Sequence, residues 1–306
     1  MSTSFGDKMR GVLASAIKRR IIARRFWVGS AAVVLTLGLV ACSTARLAYN
    51  QAPNLTYWWL DDHIDFTSDQ TPQVRSKIGA FFEWHRRNEL PMYSQRLQAW
   101  QALAQRDITP AQACTEFEAI RQRIDAAAER MVAPMAKMAL QLDADQLANL
   151  QRRQAKSNEE FAKDHLRPDR EQALDKRLKK AVERSERFYG ALTAAQRELL
   201  RDQLRRSPWD PERTQAERER RQADLLKTVR ELQANPAIAE QAVREHVARI
   251  SRSPTPGYPE YSARLVQHGC AQFAALHNST TPEQRANAVN ALKGYEADVV
   301  SLASRD

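Results

Sequence analysis

Four times in this chain a threonine or aspartate stands three positions ahead of a glutamine at the edge of a run with helical apolar spacing: Thr109 and Gln112, Asp143 and Gln146, Thr193 and Gln196, Thr281 and Gln284. Each pair matches a capping box. The Thr or Asp oxygen accepts from the third helical amide and the glutamine side chain returns to the amide of the cap, so two orphan donors are satisfied where a helix begins. Little between these starts would stop a helix except proline, because residues 42–306 hold only five glycines, Gly79, Gly190, Gly257, Gly269 and Gly294. Alanine, leucine, arginine, glutamine and glutamate dominate, all good helix formers, and no run alternates with the period of a strand. The expected fold class is all-α, a multi-helix bundle with long charged helices.

Prolines and caps set the expected boundaries. Thr71-Pro72 opens a helix running to about Arg106, with Val74, Ile78, Phe81, Phe82 and Trp84 at helical spacing, and Pro91 is expected to end or kink it. Thr109-Pro110 opens a second, on which Phe117, Ile120 and Ile124 share a face and which Pro134 is expected to break. Asp143 starts a charged helix reaching about Asp164; Pro168 leads into another ending near Gly190, and the two read as a long arm. A short amphipathic helix with Leu199, Leu200 and Leu204 follows Thr193 and stops at Ser207-Pro208. Asp210-Pro211 starts the next, with Asp at the cap and Pro at the first helical position, and Asn235-Pro236 divides it from one ending near Arg252. Beyond the proline-rich loop 253–259, two final helices are expected over 261–275 and 283–303. The intervals between the four boxes, 34, 50 and 88 residues, are too unequal for a solenoid.

Upstream, Lys18, Arg19, Arg20, Arg24 and Arg25 precede an apolar stretch over 26–41 that is short for a membrane span, the pattern of a cleaved secretory signal; the alternative is an uncleaved anchor. At its end Leu39-Val40-Ala41-Cys42 resembles the lipobox of bacterial lipoprotein precursors. The resemblance implies cleavage between Ala41 and Cys42, a diacylglycerol on the Cys42 thiol and an acyl chain such as palmitate on the new N-terminus. Ser43, rather than aspartate, implies outer-membrane sorting with the protein facing the periplasm. The expected organisation is a signal peptide at 1–41, a lipid-anchored tether at 42–56 and one helical domain at 57–306. The whole-chain charge of +10 then loses its meaning, since the first 41 residues carry seven of the 47 basic and one of the 37 acidic residues, leaving +4. No nucleic-acid partner is expected from such a balance.

Two cysteines remain after Cys42. In an oxidising compartment Cys114 and Cys270 are expected to pair; two buried thiols, or a Cys-His catalytic pair with His268 or His277, are the alternatives. Four tryptophans, Trp58, Trp59, Trp84 and Trp100, crowd one stretch. They read first as an aromatic core, with a binding groove or membrane-interface patch over Trp58, Trp59, Asp61, Asp62, Trp84, His85, Arg86 and Arg87 as the alternative. Asp61, Asp62, His63 and His85 match no named metal site, so neither metal nor cofactor is expected. Serine-hydrolase, nucleotide-binding and zinc-protease motifs are absent from the sequence. An enzyme using a single carboxylic acid would leave no such motif, and Glu83 or Glu89 would then carry it, although both read as surface charges beside Arg86 and Arg87.

The boxes followed by arginine, at Arg197 and Arg285, resemble the Leu-Thr-x-x-Gln motif of small helical periplasmic chaperones of the Spy type. A wider likeness runs along the chain. Cys42-Ser43-Thr44-Ala45-Arg46-Leu47-Ala48-Tyr49-Asn50-Gln51, Trp58-Trp59-Leu60-Asp61-Asp62, Trp84-His85-Arg86-Arg87-Asn88-Glu89-Leu90-Pro91, Glu186-Arg187-Phe188-Tyr189-Gly190, Ser207-Pro208-Trp209-Asp210-Pro211 and Leu276-His277-Asn278 resemble an uncharacterised family of proteobacterial lipoproteins, domain of unknown function 6279. The resemblance implies a lipid-anchored helical envelope protein and lends no catalytic residues. The expectation is an interaction or chaperone-like module with an envelope partner, a cell-wall hydrolase being the competing class.

Overall fold

The computed structural model describes residues 32–304. The chain divides into two units, Met1–Ala41 and Cys42–Asp306. The basic segment of the expected signal and the side chain of Cys42 lie outside the described residues. Among those described, every regular element is helical, and no helix is long and apolar enough to cross a membrane.

Eleven α-helices follow one another among the described residues: α1 (Ala32–Ile64), α2 (Gln70–Trp84), α3 (Leu90–Leu103), α4 (Pro110–Ala139), α5 (Ala144–His165), α6 (Arg170–Tyr189), α7 (Ala194–Arg206), α8 (Pro211–Ala234), α9 (Ala239–Ser251), α10 (Tyr258–Asn278) and α11 (Pro282–Ala303). The stretch read as a tether, 42–56, lies within α1, where Arg46 pairs with Asp298 and the Tyr49 hydroxyl meets His85 Nδ1 at 2.9 Å. The spine is α4, 30 residues long, packing against α10 and α9, while α11 lies along α3 and α6. Nor do α5 and α6 stand out as an arm: α5 packs on α8, with Asn158 and Gln222 exchanging amide hydrogen bonds, and α6 packs on α7 and α11.

Three apolar clusters hold these contacts. The largest joins Leu97 of α3 and Ala104 just after it, Val182 and Tyr189 of α6, Leu200 of α7, Leu276 of α10 and Leu292 of α11. A second joins Val132, Ala136 and Ala139 of α4 to Val229 and Leu232 of α8 and Val243 of α9. The third is Tyr57, Val74 and Ile78.

Both prolines expected to interrupt helices are accommodated. Pro134 lies inside α4, which continues without a break. An internal proline costs about 3 kcal/mol, and the burial of Val132, Ala136 and Ala139 on either side of it favours keeping the helix whole. Ahead of Pro91 the chain widens into a π turn, His85–Glu89, in which the Leu90 amide donates to the His85 carbonyl. That wider turn relieves the clash a proline ring makes with the carbonyl four residues back, so helical backbone runs from α2 through into α3.

All four expected boxes form, each at the start of a helix. The structure adds a fifth that Thr71-Pro72 had concealed: Thr67 and Gln70 exchange the same two bonds, and α2 begins at Gln70 rather than Thr71. Four of the five then meet in pairs. Gln70 and Gln146 exchange side-chain amide bonds at 3.2 and 2.6 Å, and Gln196 and Gln284 do so at 2.7 and 3.0 Å, all four being buried. Each amide also donates to the carbonyl two residues ahead of its partner's cap: Gln70 to Gln141, Gln146 to Asp65, Gln196 to Ser279 and Gln284 to Ala191. One local device thus joins α2 to α5 and, a second time, α7 to α11.

Candidate functional site

The apolar face of α4 predicted from Phe117, Ile120 and Ile124 has no helix over it: these residues are 46%, 42% and 62% exposed. Phe117 and Ile120 form one side of a pocket of about 690 Å³, which α3 (Trp100, Leu103), α6 (Arg184, Phe188, Tyr189), α10 (Leu265, Cys270, Phe273, Leu276, His277) and α11 (Ala288, Leu292) complete. Its volume falls in the range of about 300–1,000 Å³ that ligand sites occupy. The wall is pinned covalently, because Cys114 near the start of α4 is disulfide-bonded to Cys270 of α10, Cα to Cα 5.4 Å. Gly269, beside that cysteine, leaves open space where a side chain would stand.

The polar groups of the lining are few and mostly engaged. Glu116 accepts from Trp100 Nε1 at 2.7 Å and from Arg96 at 2.8 Å, which neutralises it. His277 Nε2 donates to the Arg106 carbonyl at 2.8 Å, leaving Nδ1 to accept from the Tyr189 hydroxyl at 3.0 Å. Arg184 differs: it is exposed, and no ion pair or hydrogen bond engages its guanidinium among the described residues. Gly190, at φ +73, ends α6 in a conformation that disfavours a side chain, and Asn278 exchanges bonds with both backbone groups of Ile108, so both ends of this wall are fixed.

While the imidazole is neutral, its one hydrogen is on Nε2 and the Tyr189 hydroxyl donates to Nδ1. Burial holds His277 below the ordinary imidazole range, with the Arg106 carbonyl pulling upward and Arg285 adding to the depression. Burial also pushes Tyr189 up to about 12, against the charge of Arg285, so its hydroxyl remains a donor. A histidine depressed on folding binds its proton more readily in the unfolded chain; the stability it contributes is present above about pH 6.5 and is lost as pH falls below that value toward the folded pKa. His85, His165 and His246 are depressed in the same direction, burial being the first cause in each. Thermal melting is therefore expected to show a lower midpoint at about pH 5.5 than at about pH 7.5, and His277→Gln is expected to flatten part of that slope. An unchanged midpoint across this window would refute it. Glu217 adds a loss at lower pH: burial raises its carboxyl, but bonds from Arg220, Arg221, Ser253 and Thr255 outweigh this and bring it to about 2.

The other expected site residues are dispersed. Trp58 and Trp59 are 57% and 61% exposed, which corrects their reading as core; Tyr57 is the ring that turns inward, its hydroxyl 3.0 Å from Thr71 Oγ1. Asp61 accepts from the Phe66 amide, Asp62 pairs with Arg153, and His63 Nδ1 donates to the Trp59 carbonyl. His85 is engaged with Tyr49, and Arg86 reaches the Leu302 carbonyl and Asn50. Each of these polar side chains is engaged with a partner of its own, and among the described residues no group of three or more His, Cys, Asp or Glu could hold a metal ion. Glu83 is exposed, but Glu89 is 2% exposed in the π turn, with Arg123 at 3.6 Å, and is no surface charge. With Cys114 and Cys270 bridged, the Cys-His alternative has no thiol; His268 instead contacts the Gln203 carbonyl.

Comparison with known families places the chain. The profile of a family of unknown function, DUF6279, matches residues 62–250. The chain belongs to this family. No curated protein and no solved structure matches it. The matched span carries the α3, α4 and α6 walls of the pocket, while the α10 and α11 walls lie beyond it. Two short segments that bear the family likeness in the sequence, 186–190 and 276–278, meet here through Tyr189 and His277. The pocket itself was not foreseen; its one sequence signal was the Phe117 face, whose lack of a covering helix is a tertiary fact.

Proposed function

We propose that this chain is an envelope lipoprotein, held by acyl chains on Cys42 at the outer membrane facing the periplasm, and that it acts by binding, as an interaction or chaperone-like module, rather than by turnover. The observation that carries this reading is the apolar pocket, whose walls come from five helices and whose polar groups are, Arg184 apart, largely engaged with one another. A disulfide suits an oxidising compartment. On α1, Leu47, Leu55, Trp58 and Trp59 are exposed within 17 residues of Cys42, as suits a helix lying near a membrane interface. The alternative, a cell-wall hydrolase using one carboxylic acid, draws less support, since Glu89 is enclosed and Glu83 lies on an exposed helix face.

A photoreactive benzoylphenylalanine at Phe117 tests the reading in intact cells. The expected result is a defined adduct with an envelope component, formed by the lipidated protein and lost with Cys42→Ala. No adduct in either form, or muropeptide release that disappears in Glu83→Gln or Glu89→Gln, would overturn it.

A further inference from the structure

We propose that the occupant of this pocket is a single-chain anionic amphiphile, its acyl chain in the apolar cavity and its carboxylate or phosphate on Arg184. The inference rests on the reading that the pocket binds, and it names the ligand class. An extended peptide would bring one N–H and one C=O per residue into the cavity, and each left unpaired there is costly. The wall has little to offer them: Glu116 is taken by Trp100 and Arg96, and Tyr189 and His277 by each other. An acyl chain brings no such groups and gains by burial alone. The sign of the head group follows from charge. Glu116 is balanced by Arg96, so Arg184 is the uncompensated charge on the lining among the described residues. A guanidinium in that state is suited to a carboxylate or phosphate, which it binds through charge-assisted hydrogen bonds. Phe117 and Phe273, half exposed, carry the apolar lining out to the surface, giving the chain a path inward.

The lipidated protein in phosphatidylethanolamine vesicles is photolysed with diazirine-bearing palmitate, lysophosphatidylglycerol or hexadecanol, and the labelled peptides are mapped. At least one anionic probe is expected to label the peptides holding Phe117 and Phe273 about tenfold more than the alcohol does, the margin of one charge-assisted contact. Labelling by palmitate alone identifies a free fatty acid, and labelling by the lysolipid alone a phospholipid product; either supports the shared chemistry. Arg184→Gln is expected to reduce anionic labelling to the level of the alcohol, in a residue whose side chain has no partner to lose. Gly269→Leu is expected to fill the cavity and suppress labelling by all three probes, while replacing a helix-interior glycine with a better helix former. Equal labelling by alcohol and anions, indifference to Arg184→Gln, or labelling confined to other surfaces would overturn the proposal. If no amphiphile labels the pocket while benzoylphenylalanine at Phe117 still captures a partner, the amphiphile falls and the binding reading stands. If neither reacts, both fall.

Discussion

Removing the Cys114–Cys270 bridge, by reduction or by a Cys114→Ser/Cys270→Ser double substitution, is expected to lower the stability of the folded domain by about 4 to 5 kcal/mol. The bridged residues are 156 apart in sequence, so the crosslink removes a large share of the unfolded chain's freedom while leaving the native chain as it is. It also acts where apolar packing is thin. Near the bridge, α4 turns Phe117 and Ile120 toward the open pocket rather than into a core, and it is the C-terminal half of α4 that contributes Val132, Ala136 and Ala139 to a buried cluster. Local loosening of the first turns of α4 should therefore accompany the global loss. Urea unfolding followed by circular dichroism, with and without reductant, measures the first effect, and amide exchange over residues 110–124 the second. A stability change below about 1 kcal/mol would show that the unfolded chain is already held compact without the bridge. Exchange that stays slow at 110–124 would show that packing alone fixes the helix.

What the sequence revealed and what it hid divide along the range of the forces involved. Helix starts were legible because a capping box closes within four residues, and Thr109, Asp143, Thr193 and Thr281 all cap the helices expected of them. Thr67 was missed because Thr71-Pro72 offered a start signal of the same kind four residues on. Pro134 misled because a local cost was weighed without the burial on either side of it. Adjacent Tyr57, Trp58 and Trp59 could not be sorted into inward and outward rings by composition, since that choice depends on where α2 lies. The disulfide was legible from the cysteine count together with the compartment that the lipobox resemblance implies. The pocket was not, because an apolar helical face reads the same whether a neighbour covers it or not.

Gln284→Ala is expected to destabilise the protein by about 3 to 5 kcal/mol, several times what the same change costs at Gln112. Both residues close a capping box, which accounts for about 1 kcal/mol in each case. Gln112 does only that, at an exposed cap. Gln284 is buried, and losing it leaves the Ala191 carbonyl and one hydrogen of the Gln196 amide without partners, each worth about 1–3 kcal/mol when water cannot replace what was lost. Gln196→Ala should cost a similar amount, through the Ser279 carbonyl. The double variant should cost less than the sum, because once one glutamine is gone the other has already lost its partner; a coupling of about 1–3 kcal/mol is expected from the cycle. Simple additivity would mean that water enters this junction and repairs each loss separately. The same cycle at Gln70 and Gln146 offers an internal control, since those residues reach the carbonyls two positions ahead of each other's caps in the same way. Matching couplings at the two junctions would establish that the contribution resides in the paired geometry, not in the identity of the helices it joins.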